Sequence, residues 1–148
     1  RTRRHRDRGW CAGAPVTSLP RTALATRLET LRPDFAREAQ KVVDGLEQDE
    51  DGEDEELGQG GICDRVANAM AGLAARAISR VKVTDGGHEG DDHAFIVVYN
   101  AKEAYAVDIA PEVYETGGGY RWRKRKDASI AASDVAIWAV PREHVTDD

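Results

Sequence analysis

Apolar positions recur at three- and four-residue steps through the first third of the chain. Leu24, Leu28, Leu31, Phe35, Ala39, Val42, Val43 and Leu46 fall on one stripe, with Arg, Glu, Lys and Gln between them. That spacing predicts amphipathic helix from Thr22 onward. Pro33 interrupts it, either as a kink or as the start of a second helix after Leu31 and Arg32. A glycine-rich turn, GQGG at 58–61, then leads into a further helix from Asp64, with Val66, Ala67, Met70, Leu73, Ala74 and Ile78 as its buried stripe.

Beyond that helix the period changes. Residues 79–83 read as a short strand and 84–92 as a loop. Residues 93–99, HAFIVVY, are apolar nearly throughout, as a central strand buried on both faces would be. A turn at 100–102 returns the chain along 103–109, giving an antiparallel hairpin that Pro111 ends. The stretch 112–122 reads as a loop with aromatic contacts and 123–129 as a basic surface turn. Residues 133–140 form a third strand, and 141–148 a frayed end. Helices followed by antiparallel strands predict an α+β domain, with N-terminal helices packed on a small antiparallel sheet. Residues 1–20, basic and then rich in glycine and proline, show no period and read as a flexible tail; 21–148 form one α+β, catalytic-type domain.

Composition narrows the function classes. A length of 148 residues suits one domain with a real core. No apolar run approaches the ~20 residues of a membrane span, so no membrane partner is expected. No signal peptide is visible, which makes the cytoplasm the default compartment and is equally compatible with a dedicated secretion system. The chain opens on Arg1 rather than methionine, as a fragment or processed form would. Two cysteines, Cys11 and Cys63, in unrelated surroundings read as free thiols. The net charge of −6 weighs against nucleic acid as the partner, despite the basic run RWRKRK at 121–126. The acidic stretch 47–58 lacks the register of an EF-hand loop, because Gly52 comes too early, and reads as a solvated loop.

The candidate chemistry centres on Cys63. It follows a glycine turn at the start of a helix, where unpaired backbone N–H groups stabilise a thiolate and can face a developing oxyanion. Gln59 is a side-chain donor toward that oxyanion, and Gly60 and Gly61 leave room for a substrate carbonyl. His93 heads a strand, and hairpin pairing places it opposite Asp108 or Ile109. Asp108 lies between apolar neighbours, where a lone carboxylate is costly, so His93 is its natural partner. A thiol, an imidazole and a carboxylate so placed are a nucleophile, a base and an orienting acid. The bland alternatives are a cysteine packed as a small apolar residue and a structural His–Asp pair. Gly118, Tyr120 and Trp122 can line or wall a substrate cleft. His88 competes with His93 from a mobile loop, while His5 and His144 lie in the tails. Zinc held by Cys63, His88, His93 and Asp108 would lack any ligand-pair spacing, so neither metal nor cofactor is expected.

The segments GGIC at 60–63, DDHAFIVV at 91–98 and YAVDI at 105–109 resemble the papain-like and transglutaminase-like cysteine enzymes, closest to the compact papain-fold toxin and deamidase branch. The likeness covers about residues 58–111. It departs at Asp64, where the family has an aromatic after the cysteine, and at Ala94, which displaces the aromatic after the histidine. The stretch DIAPEVYETGGGYRW is also similar to parts of uncharacterised bacterial and phage-associated proteins. The resemblance implies a cysteine-dependent hydrolase or acyl transferase working on an amide, as peptidase or glutamine deamidase, with a protein or peptide substrate. His93 would take the Cys63 proton, Asp108 would fix the ring, and the Cys63 N–H, with Gln59, would hold the oxyanion. The competing expectation is an interaction module docking through the acidic loop 47–56 and the basic turn 121–126.

Overall fold

Thr22, itself extended, accepts a hydrogen bond from Ala25 N on its Oγ1, at 3.2 Å. This cap starts helix α1, Ala23–Thr30. Helix α2, Arg32–Gly45, follows with Leu31 as the hinge. Pro33 therefore opens a second helix rather than kinking one, since proline's missing N–H is harmless in a first turn. The computed structural model describes residues 19–46, 61–86, 93–116 and 123–145. The basic tail 1–18 and the acidic stretch 47–60 lie outside the described residues.

Helix α3 runs Gly61–Ala77 and packs against α2. Ala36, Ala39 and Val43 of α2 and Ile62, Val66, Ala67, Met70 and Ala74 of α3 are buried in one core. Leu73 and Ile78, expected in the stripe, are only partly buried at its margin. Leaving α3, the chain turns through Arg80 in the left-handed region, φ 62°. That turn occupies what the sequence suggests as strand, and strand β1 comes later, at Lys82–Asp85.

Strand β2 is Ile96–Tyr99, shorter than the expected 93–99, and all four residues are buried. Strand β3 is Ala104–Ile109. Asn100 shapes the turn between them: its Oδ1 accepts from Lys102 N and Glu103 N, both at 2.9 Å. Two short strands that the sequence reading missed, β4 (Glu115–Thr116) and β5 (Arg123–Lys124), pair in a separate ribbon. The "basic surface turn" thus begins as strand. Lys124 Nζ reaches Leu46 O at 2.6 Å and Val43 O at 3.2 Å, satisfying carbonyls at the end of α2. Strand β6 is Val135–Val140.

The main sheet has the order β1-β2-β3-β6, antiparallel at every step. Among the described residues, three α-helices and this four-stranded sheet make an α+β fold. Ile96, Val98, Tyr105, Val107, Ile109 and Ile137 join the helical core. Phe95, Val97, Tyr99, Ala106, Trp138 and Val140 form a second buried cluster on the other face. The stretch after β6 is no frayed end as far as Val145: Arg142 Nε donates to Asn100 O at 2.7 Å and its NH1 to Val145 O at 2.9 Å. No helix among the described residues is long and apolar enough to cross a membrane.

Candidate active site

Cys63 is the third residue of α3, in the first turn where backbone N–H groups have no partner within the helix. Gly61 opens that helix, three residues before the expected start at Asp64. Cys63 is a free thiol and is 3% exposed.

His93 lies three residues before β2, past the end of the regular sheet, and Asp108 lies one residue before the end of β3. The β2–β3 register, Ile96 against Val107, sets Asp108 beside the chain entering β2. His93 Nε2 and Asp108 Oδ1 are 2.7 Å apart. The His93 side chain is 1% exposed and that of Asp108 13%. The His93–Asp108 contact is therefore present, but the register continues with Phe95, not His93, opposite Asp108, so the two side chains meet diagonally.

Burial by itself disfavours a charged ring and pulls the His93 pKa down. The hydrogen bond that the ring donates to Asp108, its interaction with the Cys63 side chain, and the charges of both groups outweigh it, and the pKa is raised to about 10. Nε2 is the nitrogen that meets Asp108. A pKa raised this far favours the imidazolium form at neutral pH, beside the Asp108 carboxylate. Such a ring is a ready counter-ion for a thiolate and a ready proton donor to a leaving amine.

The ring is also fixed from the side. Phe95 stacks near it, with centroids 6.2 Å apart and planes at 26°, and Phe95 in turn meets Trp138 at 5.8 Å. Gly86 donates its N–H to Phe95 O at 2.8 Å. A methyl group at Gly86 would fall 2.2 Å from the Phe95 ring, so only glycine fits there. The sequence carried a faint signal of this support, the glycine pair at 86–87 ahead of the histidine, which reads as ordinary loop composition.

The fold thus joins His93 to Asp108 by a hydrogen bond, and Cys63 acts on the same ring through its effect on the ring's pKa. Gln59, Gly60, Gly118, Tyr120 and Trp122 lie outside the described residues, as do His5, His88 and Cys11. His144 is exposed in the 3-10 turn Arg142–His144 after β6. Among the described residues no three His, Cys, Asp or Glu side chains are grouped to hold a metal ion. No protein-family model matches the chain, and neither a curated protein nor a solved structure shows significant similarity to it.

Proposed function

We propose that the protein is a cysteine-dependent hydrolase or acyl transferase of the papain-like or transglutaminase-like kind, acting on an amide. The observation that carries this is the buried His93–Asp108 hydrogen bond, with Cys63 in the first turn of α3 among the groups that raise the pKa of the same ring. The thiolate attacks the amide carbon and forms a tetrahedral oxyanion at the first turn of α3, where N–H groups and the helix dipole favour negative charge. His93 passes its proton to the leaving nitrogen, and the C–N bond breaks to leave a thioester on Cys63. Asp108 holds the ring's far nitrogen and stabilises its charge throughout. Water, activated by the now neutral ring, hydrolyses the thioester and restores the imidazolium. The amide is a peptide bond or a glutamine side chain, presented by a protein or peptide.

A second reading rests on one observation, the 3% exposure of Cys63. In it the sulfur is core, and the His–Asp pair ties the hairpin to the helix of a non-enzymatic interaction module. The basic turn assigned to docking is partly spent internally, since Lys124 holds the carbonyls of Val43 and Leu46.

Alkylation separates the two. Under the enzyme reading, iodoacetamide at pH 6 labels Cys63 in the folded protein at least tenfold faster than Cys11, and His93→Ala removes the advantage. Cys63→Ser or His93→Ala then lowers amide turnover by about 10²–10⁴-fold. If Cys63 labels only once the protein is unfolded, the enzyme reading fails.

A further inference from the structure

We propose that the outer edge of β6 is a self-association surface, on which a second copy of this chain adds its own β6 antiparallel. The direction of the main-chain groups follows from one bond at the far side of the sheet. Gly86 N–H donates to Phe95 O, so Phe95, Val97 and Tyr99 turn their N–H and C=O groups toward β1. In an antiparallel ladder these directions alternate along each strand. Ile96 and Val98 therefore face β3, where Val107 and Tyr105 answer them, and Ala104, Ala106 and Asp108 face β6. Val140, Trp138 and Ala136 meet those three, which leaves Val135, Ile137 and Ala139 directed away from the sheet. Val135 has the same parity by a separate observation: its N–H donates to Ala132 O and its carbonyl accepts from Arg32 NH1.

Ile137 and Ala139 have no such partners. Among the described residues β6 ends the sheet, and no group of the chain bonds their outward N–H and C=O. Ile137 turns its side chain into the helical core, and Ala139 is exposed. Unmet main-chain groups along a sheet edge are a template for another strand.

The edge is complementary to itself. When two copies lie antiparallel about a two-fold axis between their Trp138 residues, Ile137 of each stands across from Ala139 of the other. Every outward N–H of these residues then meets an outward carbonyl. The next pair along the ladder needs no bond, because the groups of Val135 are already used, while Pro141 has no N–H and its carbonyl accepts from His144 N. Sliding the register by two residues would set Ile137 or Ala139 against one of those spent positions. The strand VAIWAV also carries no charge, in a chain whose net charge of −6 makes copies repel elsewhere. The opposite edge, β1, is short, largely exposed and charged at Lys82 and Asp85, which protects it against pairing. Two-fold pairing uses up the β6 edge of both copies and leaves β1 at each end of the joined sheet, so assembly stops at the dimer. The surface makes no use of Cys63 or His93, and the proposal stands whether or not the thiol is catalytic.

Sedimentation of the full chain over a roughly hundredfold range of concentration tests it, since a contact smaller than the ~1,200 Å² of stable complexes forms reversibly. The mass should rise from one copy toward two, and the amides of Ile137 and Ala139 should exchange with deuterium more slowly as it does. Ala139→Pro deletes an outward N–H, and Ala139→Lys places a charge on the edge. Each should weaken association by about tenfold or more. The monomer should stay folded in both, because Ala139 is exposed and its N–H does not bond β3. Thr84→Lys, on the exposed strand β1, should leave association unchanged. A mass that stays at one copy throughout, or self-association that survives both Ala139 variants, would overturn the proposal.

Discussion

His93 carries the charge of the candidate site, and its titration is the most direct check on it. With a folded pKa near 10 against an ordinary 6.5, the protonated ring stabilises the fold fully below about pH 6.5. That contribution declines as pH rises through the interval and is gone above 10. The melting temperature of the wild type should therefore exceed that of His93→Gln most at pH 6 and converge toward it by pH 10. In Asp108→Asn the carboxylate charge is lost, and NMR of labelled histidine should show the ring titrating well below its wild-type value. A ring that titrates near 6.5 in the wild type would mean that the Asp108 contact does not persist in solution. Gly86 acts at one remove. Gly86→Ala forces a methyl group into the Phe95 ring, and overpacking of this kind costs about 1–3 kcal/mol. The checks are a melting temperature lower by several degrees and slower alkylation of Cys63, since Phe95 packs against His93.

At the scale of elements, legibility followed physical cause. Helices α1 to α3 were visible because their cores are set by local spacing, and Pro33 marked the α1–α2 boundary without saying which of two outcomes it produced. Strand β1 was displaced by about three residues because a non-glycine residue, Arg80, took the left-handed turn that sequence reasoning reserves for glycine. Ribbon β4–β5 was invisible because each of its strands is only two residues long, too short for an alternating pattern to show. Gln40 shows another limit. It reads as one more outward polar residue of α2, yet its Oε1 accepts from Ile130 N at 2.8 Å and its Nε2 donates to Ala128 O at 3.0 Å. It anchors the segment leading into β6. At about 1 kcal/mol net per such bond, Gln40→Ala should destabilise the protein by about 1–3 kcal/mol in urea unfolding, whereas Lys41→Ala, on an exposed neighbour, should cost under about 0.5 kcal/mol. Thr22 and Tyr105 make a comparable tie. Both hydroxyls donate to Glu103 Oε1, and burial with that carboxylate pushes the Tyr105 hydroxyl up to about 12. The start of α1 is thereby joined to the turn end of β3.

For the whole molecule, the order of chemistry along the chain was readable because the hairpin that joins His93 to Asp108 is local: fifteen residues separate them, and antiparallel pairing does the rest. The approach of Cys63 to that pair was a guess from residue types, since nothing in a sequence states how a helix is laid across a sheet. The hairpin β2–β3 is clasped at both ends, by Asn100 across its turn and by the His93–Asp108 bond at its mouth. A ribbon closed in this way cannot unzip from either tip and must come apart all at once. Deuterium should therefore enter the amides of Val97 and Ala106 last of all, and His93→Ala, by opening the mouth, should let it in progressively from Val107 inward.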